Sequence, residues 1–219
     1  MVAEAVAAGL DVVDQYVRED YSDYEVPGLH AHELETRTFN SVSDTETPRG
    51  ILALVRIPTI SLSRFTESEW VLVGDDISDP GNAGTMIRSA EAAGATAVVF
   101  SGATVDPWSP KVVRASAGAV FHVPVVQVET LHDVKEMGVR LLGTTSHVAI
   151  GAAQPVSLYS ADVSGCIGLV VGNEAHGLNP DAPIDTWVTI PHAGRSESLN
   201  VAMAGTVAVM HIAQARQAR

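Results

Sequence analysis

The sequence predicts an α/β protein: a parallel sheet carrying the chemistry, with a smaller α/β segment ahead of it. Three observations carry this. From Trp70 onward, short apolar runs alternate with helix-length stretches, the pattern of strands joined by crossover helices. Several runs (Trp70-Val71-Leu72-Val73, Ala97-Val98-Val99-Phe100, Cys166 to Val171) are apolar without alternation, as strands covered on both faces must be. Two apolar runs, one ending at Gly172 and one at Ile190, lead into polar loops, and open α/β sheets build ligand sites at such strand ends.

Taken in order, Met1 to Gly9 reads as the end of a helix closed by Gly9, and Leu10 to Val17 as a strand. Asp20 to Gly28 is a loop, His30 to Asn40 a short helix, and Gly50 to Arg56 a buried strand. Pro, Ser and Thr punctuate the next stretch, so the expected division is a domain over 1–57, a linker over 58–69 and a second domain over 70–219. In the latter, the strand from Trp70 reaches Asp75-Asp76, and a helix runs from Pro80 to Ala93, stopped by Gly94. The strand Ala97 to Phe100 precedes a loop with Trp108, Lys111 and Arg114. A strand is expected over Val120 to Val128, a helix over Thr130 to Met137, and strands over Val139 to Thr145, Cys166 to Val171 and Trp187 to Ile190. Leu199 to Gln217 is a closing helix with small residues (Ala202, Gly205, Ala208) spaced for close packing. No internal repeat or low-complexity segment is present.

A chain of 219 residues with mean hydropathy +0.17 is long and apolar enough to bury a substantial core. One cysteine, Cys166, leaves no intrachain disulfide framework, so a reducing cytoplasm is the expected compartment; its place in an apolar run reads as a small filler rather than a nucleophile. No secretory leader and no membrane-length apolar run stand out. The net charge of −13 is opposite to the basic footprint of most nucleic-acid binders. Through Gly50 there are eleven acids and three Arg, a net of −8, against fifteen acids and ten bases, −5, in the rest. The acid excess is concentrated at the N-terminus, as a solubilising surface would be.

Read alone, the polar residues near the strand ends have modest explanations. Asn82 is an N-cap for the Pro80 helix, and Arg88, six residues on, a snorkelling surface side chain. Glu174 serves a helix start, His176 beside it is a weak candidate base, and Ser198 caps the last helix. Ser198 has no His-Asp arrangement around it, which speaks against a hydrolase triad. No Cys/His cluster has metal-ligand spacing, and neither a P-loop nor a dinucleotide glycine pattern occurs, so no metal is expected.

Three ordered stretches change the weighting: Asp79-Pro80-Gly81-Asn82-Ala83-Gly84-Thr85-Met86-Ile87-Arg88-Ser89-Ala90, then Leu169-Val170-Val171-Gly172-Asn173-Glu174-Ala175-His176-Gly177-Leu178, then Ile190-Pro191-His192-Ala193-Gly194-Arg195-Ser196-Glu197-Ser198-Leu199-Asn200. They resemble the three signature motifs of the SpoU (TrmH) family of the SPOUT class of methyltransferases. The resemblance covers Val71 to the C-terminus. It implies a parallel sheet whose C-terminal segment threads a deep trefoil knot, preceded by a small α/β RNA-binding domain that here starts late. It implies S-adenosylmethionine-dependent methylation of an RNA ribose 2′-hydroxyl, in ribosomal or transfer RNA. Arg88, Asn82, Glu174, Ser198 and Asn200 would be catalytic. Thr144, Ser146, Gly172, Ile190 and Leu199 would hold the methyl donor. A homodimer through the knotted domain is also implied, with Arg88 reaching the partner's site. Lys111, Arg114 and Arg195 are candidate phosphate contacts in an otherwise acidic protein.

Two other readings stay open on sequence alone. One is a catalytically silent RNA-binding or assembly factor with the same fold, against which Arg88, Glu174, Ser198 and Asn200 speak. The other is a methyltransferase on a non-RNA substrate, which the acidic charge favours.

Overall fold

The computed structural model describes residues 1–21, 26–45, 47–60, 65–66, 69–146 and 154–218. The chain divides into two compact units, Met1–Thr59 and Ile60–Arg219.

The first unit contains α1 (Val2–Ala7), β1 (Val12–Arg18), β2 (Ala31–Leu34), α2 (Thr36–Val42) and β3 (Ile51–Val55). Its sheet has the order β2-β1-β3, with β1 parallel to β2 and antiparallel to β3. Gly9, at φ 77°, ends α1 in the left-handed region as expected. Ala5, Val17 and Phe39 are buried, and so is Gln15, whose amide donates to Val26 O (2.8 Å) and accepts from Val26 N (2.9 Å). A buried amide satisfied on both sides costs little and pins the following loop to the central strand. Two expectations fail. His30 to Asn40 is not one helix: Ala31–Leu34 pairs with β1, Glu35 is extended, and only Thr36–Val42 is helical. The alternating His-Ala-His-Glu-Leu pattern suits a half-covered strand better than a helix face. Nor is Ile51–Val55 buried, since Leu54 is 54% exposed; this strand lies at the sheet's edge.

The second unit contains β4 (Trp70–Asp75), α3 (Pro80–Ala92), β5 (Ala97–Ser101), α4 (Pro110–Ala115), β6 (Val125–Gln127), α5 (Leu131–Glu136), β7 (Arg140–Thr144), β8 (Val156–Ser157), β9 (Ile167–Val171), β10 (Thr186–Thr189) and α6 (Val201–Gln217). The seven strands form one parallel sheet in the order β6-β5-β4-β9-β7-β10-β8. Period-two alternation sends the central strands' side chains to two cores. Leu72, Val98, Phe100, Ile167 and Leu169 join residues of α3, α4 and α6 on one face. Val71, Val73, Val99 and Val170 join α5, Leu178 and Trp187 on the other. Double coverage is why these runs read as continuously apolar.

Three boundaries differ from the sequence reading. Lys111 and Arg114 lie on the helix α4 rather than in a loop, and Pro110 is its first residue. Val120 to Val128 is a 3₁₀ turn (Ala119–Phe121) followed by the short β6, because the intervening Pro124 has no N–H for a ladder. β8 was not foreseen; two residues leave no periodicity to read. Among the described residues, no helix is long and apolar enough to cross a membrane.

α3 and α4 approach closely because residue 84 is glycine. A Cβ there would stand 2.4 Å from Ala115 Cβ and 2.7 Å from the backbone of Ala115 and Ser116. Gly84→Val is expected to destabilise the fold by about 3 kcal/mol, the upper range for overpacking, read as a lower urea midpoint at unchanged slope.

Candidate active site

β9 ends at Val171 and the chain turns through a narrow hoop. Gly177 N donates to Asn173 O (2.9 Å), and the two residues form an isolated antiparallel bridge. Asn173 Oδ1 accepts from Ala175 N (2.8 Å) and His176 N (3.2 Å), while its Nδ2 donates to Asp76 O (2.9 Å) beyond β4. One asparagine thus shapes the hoop and ties it to the neighbouring strand's end. Glycine is required at 172, where a Cβ would meet Gly177 C and Leu178 N at 2.5 Å.

The hoop delivers Glu174 to the N-terminus of α3. Its Oε1 accepts from Asp79 N (3.1 Å) and Asn82 Nδ2 (3.0 Å), and its Oε2 from Ser78 N (3.3 Å). The helix has its own cap, since Asp79 Oδ1 accepts from Asn82 N (2.8 Å). Asn82 is therefore not the N-cap, which leaves its amide to bridge: its Oδ1 accepts from Asn200 Nδ2 (3.2 Å). Asn200 Oδ1 in turn caps α6, accepting from Ala202 N (3.0 Å) and Met203 N (3.2 Å). Ser198 does not cap that helix. Glu174, Asn82 and Asn200 form one polar chain joining the start of α3 to the start of α6. Glu174 serves a helix start, but that of α3, ninety-odd residues upstream, rather than one of its own.

Partial burial works to raise the Glu174 pKa, but the hydrogen bonds from Asn82, Asp79 and Ser78 outweigh it and hold the carboxyl below its ordinary range. A depressed carboxylate stabilises the fold above its unfolded-state pKa, and that contribution is lost as pH falls through the folded-state value. The melting-temperature advantage of wild type over Glu174→Gln is expected to be present at pH 7 and to vanish only on acidification below the ordinary glutamate range.

Beside this chain lies a cavity of about 540 Å³, within the size range of small-molecule sites. Thr144, Ser146, Gly172, Glu174, Ile190, Ser198 and Leu199 all line it. Sequence reasoning did not single out Asn173, Leu178, Val201 or His192 as lining residues. The His192 ring sits between Ile190 O (3.1 Å) and Ser196 O (2.7 Å), folding the 190–200 loop over the cavity. Leu199 remains 39% exposed at the wall, an apolar surface that a flat ring could cover. Thr144 Oγ1 donates to Val170 O (3.0 Å), locking β7 to β9 at the cavity floor.

The remaining candidates lie elsewhere. Arg88 is exposed on α3, outside the cavity wall. Lys111 and Arg114 are exposed on α4, one turn apart, and Arg195 is exposed on the loop before α6. His176 lines the cavity, and Cys166 is half-buried; burial first, then Glu69, push its thiol upward against Arg216, which disfavours a nucleophilic role.

A parallel sheet with the ends of β7, β9 and β10 opening onto one cavity, flanked by two capped helix starts and a carboxylate, defines the class of α/β proteins that bind a small molecule beyond their strand ends. Within that class, the chain belongs to the SpoU rRNA Methylase family, whose profile matches residues 69–210. It is 36% identical over 198 residues to the 23S rRNA (guanosine(2553)-2'-O)-methyltransferase RlmP of Bacillus subtilis, covering 87% of this chain and 75% of that protein. It is 40% identical over 152 residues to the 23S rRNA (guanosine-2'-O-)-methyltransferase RlmB of Xanthomonas axonopodis pv. citri, covering 67% of this chain but only 59% of that protein. Among solved structures, the SpoU methyltransferase AviRb from Streptomyces viridochromogenes in complex with AdoMet superposes with a TM-score of 0.85 at 25% identity, covering 100% of this chain and 88% of that one.

Proposed function

We propose that the protein is an S-adenosylmethionine-dependent RNA 2′-O-ribose methyltransferase acting on ribosomal RNA. The observation that carries this reading is the Glu174–Asn82–Asn200 chain, whose Glu174 lines the cavity, in a member of a family whose relatives are named for this reaction. The site fits the donor: Leu199, Ile190 and Leu178 offer apolar walls for adenine, and Thr144, Ser146 and the backbone around Gly172 offer polar partners. When bound, the donor supplies a sulfonium methyl that is already electrophilic, so the protein's task is positioning and charge stabilisation. Glu174 holds the Asn82 amide, Asn82 holds that of Asn200, and with Ser198 they orient the ribose hydroxyl. Arg88 would stabilise the negative charge that builds on the ribose oxygen as its proton passes to solvent water. A guanidinium does not act as a base, so its role is electrostatic.

The same reading assigns residues 1–57 to substrate recognition, 58–69 to a linker and 70–219 to catalysis. It takes the C-terminal segment to thread a trefoil knot, supported by a sheet order in which β9 enters between β4 and β7 while β10 lies beyond β7. It takes the protein to be a cytoplasmic homodimer. Met203, Val207 and Met210 form an exposed apolar stripe along α6, at the spacing of one helix face. Lys111, Arg114 and Arg195 would meet phosphates, concentrating positive charge locally on an acidic molecule.

Calorimetric titration with S-adenosylmethionine tests the donor site. Saturable binding is expected, and Leu199→Arg, which fills the apolar wall with a charged chain, is expected to weaken it at least ~30-fold, about 2 kcal/mol. A folded wild type that does not bind the donor would favour the silent RNA-binding alternative.

A further inference from the structure

In the first unit, Asp14, His30 and His32 bring three metal-ligating atoms together, the one such group among the described residues. Strand pairing does this. β1 and β2 run parallel with Gln15 opposite Ala31 and Tyr16 opposite His32, so Asp14 and Tyr16 share a sheet face with His30 and His32. Two histidines one residue apart and a distant aspartate lack a recognisable ligand spacing, so no metal is expected from the sequence; only the register unites them.

The geometry is convergent. His30 Nδ1 lies 3.1 Å from His32 Nε2, His32 Nε2 3.2 Å from Asp14 Oδ1, and His30 Nδ1 3.6 Å from the same oxygen. A hydrogen-bonded chain would spread its contacts over different atoms; here one atom from each residue faces both of the others. Zinc bonds of ~2.0–2.1 Å to nitrogen and ~2.0–2.2 Å to oxygen place tetrahedral ligand atoms ~3.3–3.4 Å apart, a spacing the three edges bracket. The rings are already oriented: Tyr16 stacks on His32 (centroids 5.2 Å, 21° between planes) and His30 meets His32 edge-on at 4.3 Å. The His30 and His32 side chains are 70% and 41% exposed, so the fourth position opens to solvent.

We propose that Asp14, His30 and His32 form a site for a divalent late-transition-metal ion, zinc in chemical class, that clips the edge strand β2 to β1. Two imidazoles and one carboxylate suit Zn²⁺, and Cu²⁺ and Ni²⁺ by the same donor set, over Mg²⁺ or Ca²⁺, which prefer all-oxygen shells. Three ligands with an exposed fourth position make a modest site in a small sheet that lacks a large core.

The test is a Zn²⁺ titration of the full, tag-free, chelator-stripped chain against a chromophoric competitor. One equivalent should bind and raise the melting temperature. His30→Gln, His32→Gln and Asp14→Asn should each weaken binding more than the ~10–100-fold typical of an outer-shell change, and Tyr16→Leu should fall within that range. His132→Gln, a surface histidine in the other unit, should leave binding unchanged. Melting in excess chelator separates ligation from folding: the variants should match wild type there and lose only the zinc-induced rise. Absence of one-equivalent binding in wild type, or binding that survives His32→Gln and His30→Gln, would overturn the site and leave these contacts as a ring stack.

Discussion

Arg88→Ala is expected to lower turnover on RNA by ~10²–10³-fold while leaving donor affinity within about twofold. Arg88 stands outside the cavity wall, so its removal takes nothing from the donor's surroundings. It is also six residues beyond Asn82 on α3, well past the helix start where Glu174, Asn82 and Asn200 meet. In the proposed dimer, this exposed guanidinium serves the reacting hydroxyl in the partner's cavity. Arg88→Lys should recover part of the loss, because it keeps the charge and gives up the bidentate fork. Mixing Arg88→Ala subunits with Leu199→Arg subunits should restore measurable turnover, since a mixed dimer has one cavity with an intact wall facing an intact arginine. Near-normal turnover by Arg88→Ala would remove the residue from the mechanism, and no recovery on mixing would confine the site to one chain.

The parts legible in the sequence were those set by local patterning. β4, β5 and β9 announced themselves because coverage on both faces makes their side chains uniformly apolar, and Pro80 and Gly94 bracket α3 as helix start and stop signals should. The caps of α3 and α6 fall at Asp79 and Asn200 rather than at Asn82 and Ser198, and for α3 the sequence carries a signal: Pro80 at the first helical position points to Asp79, which frees Asn82 to bridge. What the sequence could not give is the meeting of residues far apart in it. Asn82 and Glu174 are joined because β4 and β9 are neighbours in the sheet, so the loops beyond them open side by side, while Asn200, which follows β10, reaches Asn82 because α6 packs along α3. The polar chain of the site was therefore legible as residue types within motifs, and illegible as a network. The same holds in the first unit, where a strand misread as helix hid the register that unites Asp14 with His30 and His32.

The hoop after β9 is where the smallest substitution should do the most damage. Gly172→Ala adds a Cβ at 2.5 Å from Gly177 C and Leu178 N and 2.7 Å from Gly177 O, all backbone atoms, so no side-chain rotation can relieve the contact. The returning chain must move by roughly half an ångström or more to restore ordinary separation. Leu178 is buried in the core on the far face of the sheet and resists that movement, so the displacement falls on the Asn173–Gly177 bridge. Opening the bridge withdraws Glu174 from Ser78, Asp79 and Asn82 and widens the cavity whose wall the hoop forms. The expected result is a folded protein, less stable by about 1–3 kcal/mol, with donor binding weakened ~100-fold, the scale of a misplacement near one ångström. Gly177→Ala provides the contrast: nothing lies within 4 Å of its added Cβ, and the cost is the left-handed backbone alone (φ 68°), about 1–2 kcal/mol with far less effect on binding. Gly194→Ala, in open space without a positive φ, should be silent. Equal donor binding by Gly172→Ala and Gly194→Ala would mean that the hoop does not form the donor's wall.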